Sequence, residues 1–239
     1  MTTLLLSDLH LPSGPSPLRD RFLAFLSGPA RGAERVFLLG DLFEYWIGDD
    51  VGLRVYAAEC EAIRELVAAG VPVAVQAGNR DFLLGRAFCA ATGARLLDDP
   101  VVETVAGEPV LLSHGDIWCT DDVGYQRWRR FSRNPATQWL FARLPVALRE
   151  RIAGGVRARS GSSKVHKAEA IMDVNPRAIE AAFRDHGVTR MIHGHTHRPA
   201  VHEMEVDGRG CRRRVLPDWR PERMEYLRVD GSGEALETA

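Results

Sequence analysis

Three features of this chain predict an α/β fold in which two mixed β-sheets lie face to face with helices outside them. The first part alternates short apolar runs with helical periodicity, the second part is richer in strand pairs joined by tight turns, and oxygen or nitrogen donors follow the ends of several runs.

Residues 4–7 (LLLS) are a short apolar run with no basic region before it, which reads as a strand and not as a secretory leader. Residues 18–26 carry helical spacing, and 35–39 (RVFLL) form a second strand. Apolar residues at three- and four-residue intervals over 55–69, closed by Gly70, predict a helix, and 71–77 (VPVAVQA) a third strand. This βαβα order predicts a largely parallel sheet, whose sites form in the loops at the carboxyl ends of its strands. Farther along, 101–105 and 109–112 predict adjacent strands about Ala106-Gly107-Glu108, 175–186 a helix, and 189–192 a strand. Runs at 202–206, 212–216 and 224–229 predict antiparallel strands joined by turns such as Asp207-Gly208. The expected organisation is a single domain over 1–239, with 119–171 inserted in it as a helical cap.

At 239 residues and 45% apolar, the chain has material for one well-buried core. A net charge of −1 gives no basis for a nucleic-acid partner, and no obligate protein partner is implied. Cys60, Cys89, Cys119 and Cys211 include no CxxC pair, which argues against a structural zinc site and a disulfide scaffold and fits a reducing compartment. No stretch approaches the roughly 18 consecutive apolar residues of a membrane span, so a cytoplasmic protein, soluble or peripheral, is expected.

The donors carry the chemistry. Asp8 and His10 stand in SDLH, Asp41 in GDLFE, Asn79 in GNRD, His114 in SHGD, and His195 and His197 in HGHTH. Asp8 and His10, two apart at a strand end, would point the same way in an extended segment and grip one ion together. Asp41 has two oxygens to share between ions, and Asn79 offers a neutral carbonyl oxygen. Oxygen and nitrogen donors without cysteine read as a two-metal centre for phosphoryl chemistry. Mixed carboxylate and imidazole ligands favour Mn²⁺, with Fe²⁺, Co²⁺ or Zn²⁺ as alternatives. Such a pair of cations would activate water for in-line attack, so no serine, threonine or cysteine nucleophile is needed. His193, which alternates with the two histidines after it, reads as a packed residue or as one that backs a ligand.

The pattern DxH, GD, GN, H, GHxH resembles the calcineurin-like metallophosphoesterase superfamily, whose members place two metals at the rim of a β-sandwich. Longer stretches are similar to the branch of that superfamily that acts on UDP-2,3-diacylglucosamine in lipid A biosynthesis. They are GDLFEYWIGDD (40–50), GNRDFLLG (78–85), HGDIWCTDDVGYQRWRR (114–130), AIMDVN (170–175) and HGHTHRPAVHE (193–203). The resemblance implies hydrolysis of that diphosphate to 2,3-diacylglucosamine 1-phosphate and UMP, by attack on the UMP-side phosphorus. It implies Asp8, His10, Asp41 and His197 around one metal, and Asp41, Asn79, His114 and His195 around the other. Catalytic roles fall to Asp41, Asn79, Arg80 and His114. Arg80 stands where many relatives carry histidine, and its five N–H donors suit a phosphate clamp. Substrate contacts are implied for Asn79, Arg80, Asp122, Tyr125, Ser160, Lys164, Lys167 and His195. The implied location is peripheral, on the cytoplasmic face of the inner membrane.

The insert fits a lipid substrate. Between Arg127 and Lys167 there are eleven basic residues against one acidic residue, Glu150, and the chain's only lysines, Lys164 and Lys167, fall here. Interleaved apolar residues, among them Trp128, Phe131, Trp139, Leu140, Phe141, Leu144 and Ile152, give helices with apolar and basic faces. The apolar residues would line an acyl pocket or touch the membrane, and the arginines would meet lipid phosphates. The competing readings are a soluble phosphodiesterase or nucleotide-sugar pyrophosphatase without lipid specificity and a non-enzymatic lipid- or nucleotide-binding module, and the complete donor set argues against the second.

Overall fold

The computed structural model describes residues 2–166 and 173–239, and of 157–166 the backbone alone. The first half of the chain runs β1 (Thr3–Leu6), α1 (Pro17–Ser27), β2 (Arg35–Leu39), α2 (Asp49–Val55), α3 (Ala57–Ala68), β3 (Val73–Gln76), α4 (Arg86–Thr92) and β4 (Arg95–Leu97). There follow β5 (Val101–Val105), β6 (Glu108–Ser113), α5 (Val123–Ser132), α6 (Pro135–Ala142) and α7 (Val146–His166). The last part runs α8 (Pro176–His186), β7 (Arg190–His193), β8 (Ala200–Val206), β9 (Arg209–Val215), β10 (Glu225–Asp230) and β11 (Gly233–Thr238).

Helix starts are written locally. Ser16 caps α1 by accepting from the Arg19 N–H, with Pro17 at the first turn, and Asn175 caps α8 ahead of Pro176 in the same way. The helix expected over 55–69 is α3, and the short α2 before it, which was not expected, is set off from it at Tyr56, which leaves helical geometry and buries its ring 4.2 Å from that of Phe43. The helix α4 and the strands β4 and β11 were not expected from the sequence. Asp49, far back in the chain, caps α4 by accepting from the Ala87 and Phe88 N–H groups.

The strands form a six-stranded sheet, β11-β10-β1-β2-β3-β4, and a five-stranded sheet, β5-β6-β7-β9-β8. β1 to β4 pair in parallel, as βαβα order predicts, and β6, β7 and β9 form a parallel centre in the second sheet. One expectation fails. The 224–229 strand does not join the two before it but crosses to the first sheet and pairs antiparallel with β1. Pro217 and Pro221 lie in the connection, and proline cannot supply the N–H groups that a continued ladder requires.

Leu5, Phe37 and Leu39 meet Val110, Leu112 and Ile192 between the sheets. Helices α1, α3 and α4 cover the outer face of the first sheet, and α8 that of the second, with Phe22, Phe25 and Ile63 on one side and Ile179 and Phe183 on the other. Away from the carboxyl ends, arginines tie one sheet to the other. Arg95 reaches Glu103 at 2.6 Å, and Arg190 and Arg214 reach Glu234 at 2.7 and 2.9 Å.

The cap helices are fastened at both ends. Arg129 of α5 bonds Asp116 at 2.9 Å and Asp99 at 3.1 Å, and Arg133 just after it bonds Asp116 at 3.3 Å and the Gly78 carbonyl at 3.0 Å. Arg149 of α7, only 3% exposed, donates to the Ile47 carbonyl at 2.7 Å and to both oxygens of Asp50. These three arginines therefore hold the insert to the core, and for them the expectation that the arginines of the insert meet lipid phosphates fails, whereas Arg127, Arg130, Arg143 and Arg151 are exposed. Helix α6 has no buried residue. Among the described residues, no helix is long and apolar enough to cross a membrane.

Candidate metal centre

All seven expected donors collect at the carboxyl ends of the parallel strands, β1, β2 and β3 from one sheet and β6 and β7 from the other. Asp8 and His10 are not carried on extended backbone as expected. β1 ends at Leu6, and Asp8 and His10 beyond it are left-handed, with φ of 57° and 47°. Among the described residues, five of the seven non-glycine residues with positive φ are expected donors, namely Asp8, His10, Asp41, His195 and His197. Such a conformation costs about 1 kcal/mol or more for an L-residue and persists where the surroundings over-determine it. Here they do. The Asp8 N–H donates to the Gly40 carbonyl at 3.0 Å, the His10 N–H to the Asp41 carbonyl at 2.9 Å, and the His195 N–H to Asp8 Oδ2 at 2.8 Å. The loops also approach closely: a Cβ on Gly194 would overlap the Asp8 carboxylate, and one on Gly78 would overlap Asp41.

The side chains form two overlapping sets. On one side, His197 Nε2 lies 3.3 Å from Asp8 Oδ1 and 3.3 Å from His10 Nε2. On the other, His114 Nε2 lies 3.2 Å from Asn79 Oδ1 and 3.2 Å from His195 Nδ1. Asp41 stands between them, with Oδ2 3.9 Å from His10 Nδ1 and Oδ1 3.8 Å from His114 Nε2. Asp8, His10 and His197, and likewise Asp8, Asp41 and His114, bring ligand atoms within 4.8 Å of one another.

These residues fit divalent metal ions. Asp8 Oδ1 is buried without a hydrogen-bond partner, while Oδ2 is taken by Ser7 Oγ and the His195 N–H. Facing imidazole nitrogens at 3.2 to 3.3 Å repel if both are lone pairs, yet this is about the spacing of two nitrogens bound to one ion at roughly 2.1 Å. The His114 Nδ1–H donates to the Leu39 carbonyl at 3.0 Å, which leaves its Nε2 lone pair for the centre.

The charges point the same way. Burial drives His10 down to about 4 despite Asp8, and burial followed by the His114 charge drives His195 down to about 3. Burial also works against a charged His114, but Asp41, Asp8, Asp116 and Asp99 together hold its pKa up to about 9. Without metal, a proton on His114 thus supplies part of the positive charge that this acidic pocket requires. His193 is a packed residue, as expected: fully buried, it meets the Gly194 carbonyl at 2.8 Å through Nδ1 and Arg213 Nη1 at 3.0 Å through Nε2.

Three carboxylates not singled out from the sequence support the donors. Asp81 is fully buried and accepts from the N–H groups of Gly78, Asp41, Leu42 and Phe43, which staples the Asn79 loop to the Asp41 loop. Asp116 accepts from Tyr125 Oη at 2.5 Å in addition to Arg129 and Arg133. Asp218 stands 3.5 Å from His197 Nδ1. The D of GNRD and of SHGD was visible within motifs already noted, whereas Asp218 had no motif to mark it.

A cavity of about 790 Å³ begins at Asn79, Arg80, His195 and His197 and continues beneath the cap between Phe82, Trp128, Phe131, Phe141 and Leu144. Arg80 lines its polar end, with Nη1 3.3 Å from Glu44 Oε1, and the Arg80 N–H donates to Asp41 Oδ1 at 2.8 Å. Asp122 lines it too, while accepting from the Tyr125 N–H at 3.0 Å to cap α5. The Tyr125 ring stacks on His195 at 6.0 Å, and its hydroxyl is spent on Asp116. Lys167 and the side chains of Ser160 and Lys164 lie outside the described residues.

Residues 1–199 match the family model described as calcineurin-like phosphoesterase. A protein of Chromohalobacter salexigens named UDP-2,3-diacylglucosamine hydrolase is 48% identical over 230 residues, which span 96% of this chain and 94% of that one. Proteins of the same name from Aromatoleum aromaticum and Pseudomonas putida are 48% and 45% identical over 234 residues, 98% of this chain and 95% and 97% of theirs.

Proposed function

We propose that this chain, which belongs to the calcineurin-like phosphoesterase family, is a metal-dependent hydrolase that cleaves UDP-2,3-diacylglucosamine to 2,3-diacylglucosamine 1-phosphate and UMP. The observation that carries this reading is the continuity of the cavity, which joins a cluster of metal donors and Arg80 to a chamber walled by aromatic and aliphatic side chains. A ligand with a diphosphate at one end and acyl chains at the other matches both ends at once.

Asp8, His10, Asp41 and His197 would hold one divalent ion, and Asp41, Asn79, His114 and His195 a second, Mn²⁺ being the ion best suited to this mixed donor set. When bound, such a pair supplies positive charge beside the phosphorus and makes the attacking water more acidic. The protein supplies the rest. Asp41 presents an oxygen to each side, and the Leu39 carbonyl fixes the His114 ring through Nδ1. Arg80 exchanges its Glu44 contact for the diphosphate, which its fork can clamp through two oxygens. Asn79, His195, Asp122 and Tyr125 line the path of the nucleotide sugar, the cap would exclude water from the acyl end, and the further contacts we assign to the substrate on the strength of the resemblance are Ser160, Lys164 and Lys167. Attack falls on the UMP-side phosphorus.

The cap also supports a place on the cytoplasmic face of the inner membrane. Trp139 and Leu140 on α6 are 58% and 59% exposed, and Phe131 is 58% exposed. Apolar side chains concentrated in this way mark a surface that meets another apolar phase. Turnover of UDP-2,3-diacylglucosamine compared with UDP-glucosamine, in Mn²⁺, tests the assignment. Acyl-dependent release of UMP is expected, and equal use of the two substrates would overturn it.

A further inference from the structure

Asp218 lies in the connection between β9 and β10, past the 1–199 stretch matched by the family model. We propose that Asp218 is a positioning residue for the metal centre, holding the His197 imidazole so that Nδ1 faces its carboxylate and Nε2 faces Asp8 and His10. The inference rests on the two-metal reading above and adds to it the group that orients one ligand.

The His197 ring lies between two carboxylates. Its Nδ1 is 3.5 Å from Asp218 Oδ2, and its Nε2 is 3.3 Å from Asp8 Oδ1. Asp218 is only 3% exposed and cannot turn away, because Arg220 Nε donates to Oδ2 at 2.7 Å and Arg223 Nη2 donates to Oδ1. The same connection holds the donors through its backbone. The Trp219 N–H donates to the Asp8 carbonyl at 3.0 Å, and the Leu216 N–H to the His193 carbonyl at 2.7 Å. Residues 216–219 are therefore built against both the Asp8 loop and the HGHTH loop.

A carboxylate behind an imidazole ligand fixes the tautomer and makes the far nitrogen a better donor, and removal of such a partner costs roughly 10- to 100-fold in metal affinity. His114 shows the same device in a weaker form, with the Leu39 carbonyl in place of a carboxylate. His197 is partly exposed, with the His10 ring 5.2 Å away on one side.

Titration calorimetry with MnCl₂, on chelator-treated full-length wild type and Asp218→Asn, tests the proposal. The variant is expected to lose about 10- to 100-fold in affinity at one class of site while keeping the other. Its kcat should recover at high Mn²⁺, with KM for the diphosphate substrate unchanged. Equal Mn²⁺ affinity in the two proteins overturns the role of Asp218 and leaves the two-metal reading intact. A wild type that binds neither Mn²⁺ nor Zn²⁺ overturns that reading, and this inference with it. If Asp218→Asn does not fold, long-range ¹H–¹⁵N NMR of zinc-loaded wild type decides the matter: a proton on His197 Nδ1 supports the proposal, and one on Nε2 overturns it.

Discussion

Replacement of Asp116 by asparagine isolates one charge in the network that joins the cap to the metal loops. Asp116 is fully buried, and its Oδ2 receives Tyr125 Oη at 2.5 Å, Arg129 Nε at 2.9 Å and Arg133 Nη2 at 3.3 Å, while its Oδ1 has no partner. An asparagine can keep its oxygen toward those donors and turn its amide nitrogen into the place of Oδ1, so the bond count is preserved and the negative charge is lost. Removing one partner of a buried pair costs about 3–5 kcal/mol. Two features reduce that here: Arg129 retains Asp99 at 3.1 Å, and the Arg133 side chain is 21% exposed. We therefore expect a loss of about 2–4 kcal/mol, which for a chain of this size lowers Tm by roughly 5–15 °C. Denaturant unfolding of the chelated protein measures it. The additional change Arg133→Met should cost much less in the Asp116→Asn background than alone, because the charge it removes has already lost its partner. Single-variant losses that simply add, within about 0.5 kcal/mol, would refute the claim that this pair is coupled.

Gly194→Ala should abolish Mn²⁺ binding at the Asp8 side in calorimetry, since the added Cβ would occupy the space of the Asp8 carboxylate and the Ser7 hydroxyl. Retained affinity would mean that the loops are looser than they stand. Arg80→Lys should raise KM for the diphosphate substrate about 10-fold or more, because an ammonium group cannot bridge two oxygens; initial-rate kinetics reads this directly. Metal-free His114, with a pKa of about 9 against roughly 6.5 unfolded, contributes stability that is whole below about pH 6.5 and fades as pH rises through 9. Chelated wild type should thus lose stability over that range relative to His114→Gln, as followed by urea midpoints, and parallel curves would contradict it. Changing Trp139 and Leu140 together to glutamate should lower sedimentation with anionic vesicles several-fold while leaving the Tm of the protein nearly unchanged, as expected for side chains 58% and 59% exposed.

The first sheet and the donors were legible because their signals are local. The strands β1, β2 and β3 are short apolar runs, and the donors follow the ends of such runs, so residues distant in sequence could be grouped by residue type alone. What escaped depends on partners remote in the chain. β4 has three residues, two of them exposed, and offers no apolar run to see. The direction of β10 was readable, but its sheet was not, because nothing local distinguishes a strand that pairs with β8 and β9 from one that returns to β1. The excess of basic residues in the insert was plain from the sequence. That Arg129, Arg133 and Arg149 turn inward was not, since their acceptors, Asp99, Asp116, Gly78 and Asp50, lie 13 to 99 positions away. Asp218 was hidden for the same reason.

The left-handed backbone of the five donors has a consequence for any attempt to make this protein more robust. Positive φ is where a stability engineer would first introduce glycine, with a gain of about 1 kcal/mol per position. Asp8, His10, Asp41, His195 and His197 are all such positions, and each glycine would delete a proposed ligand. Selection for thermal tolerance without selection for turnover would therefore drift toward loss of the centre, and the residues at which the fold has most to gain are those that the chemistry cannot release.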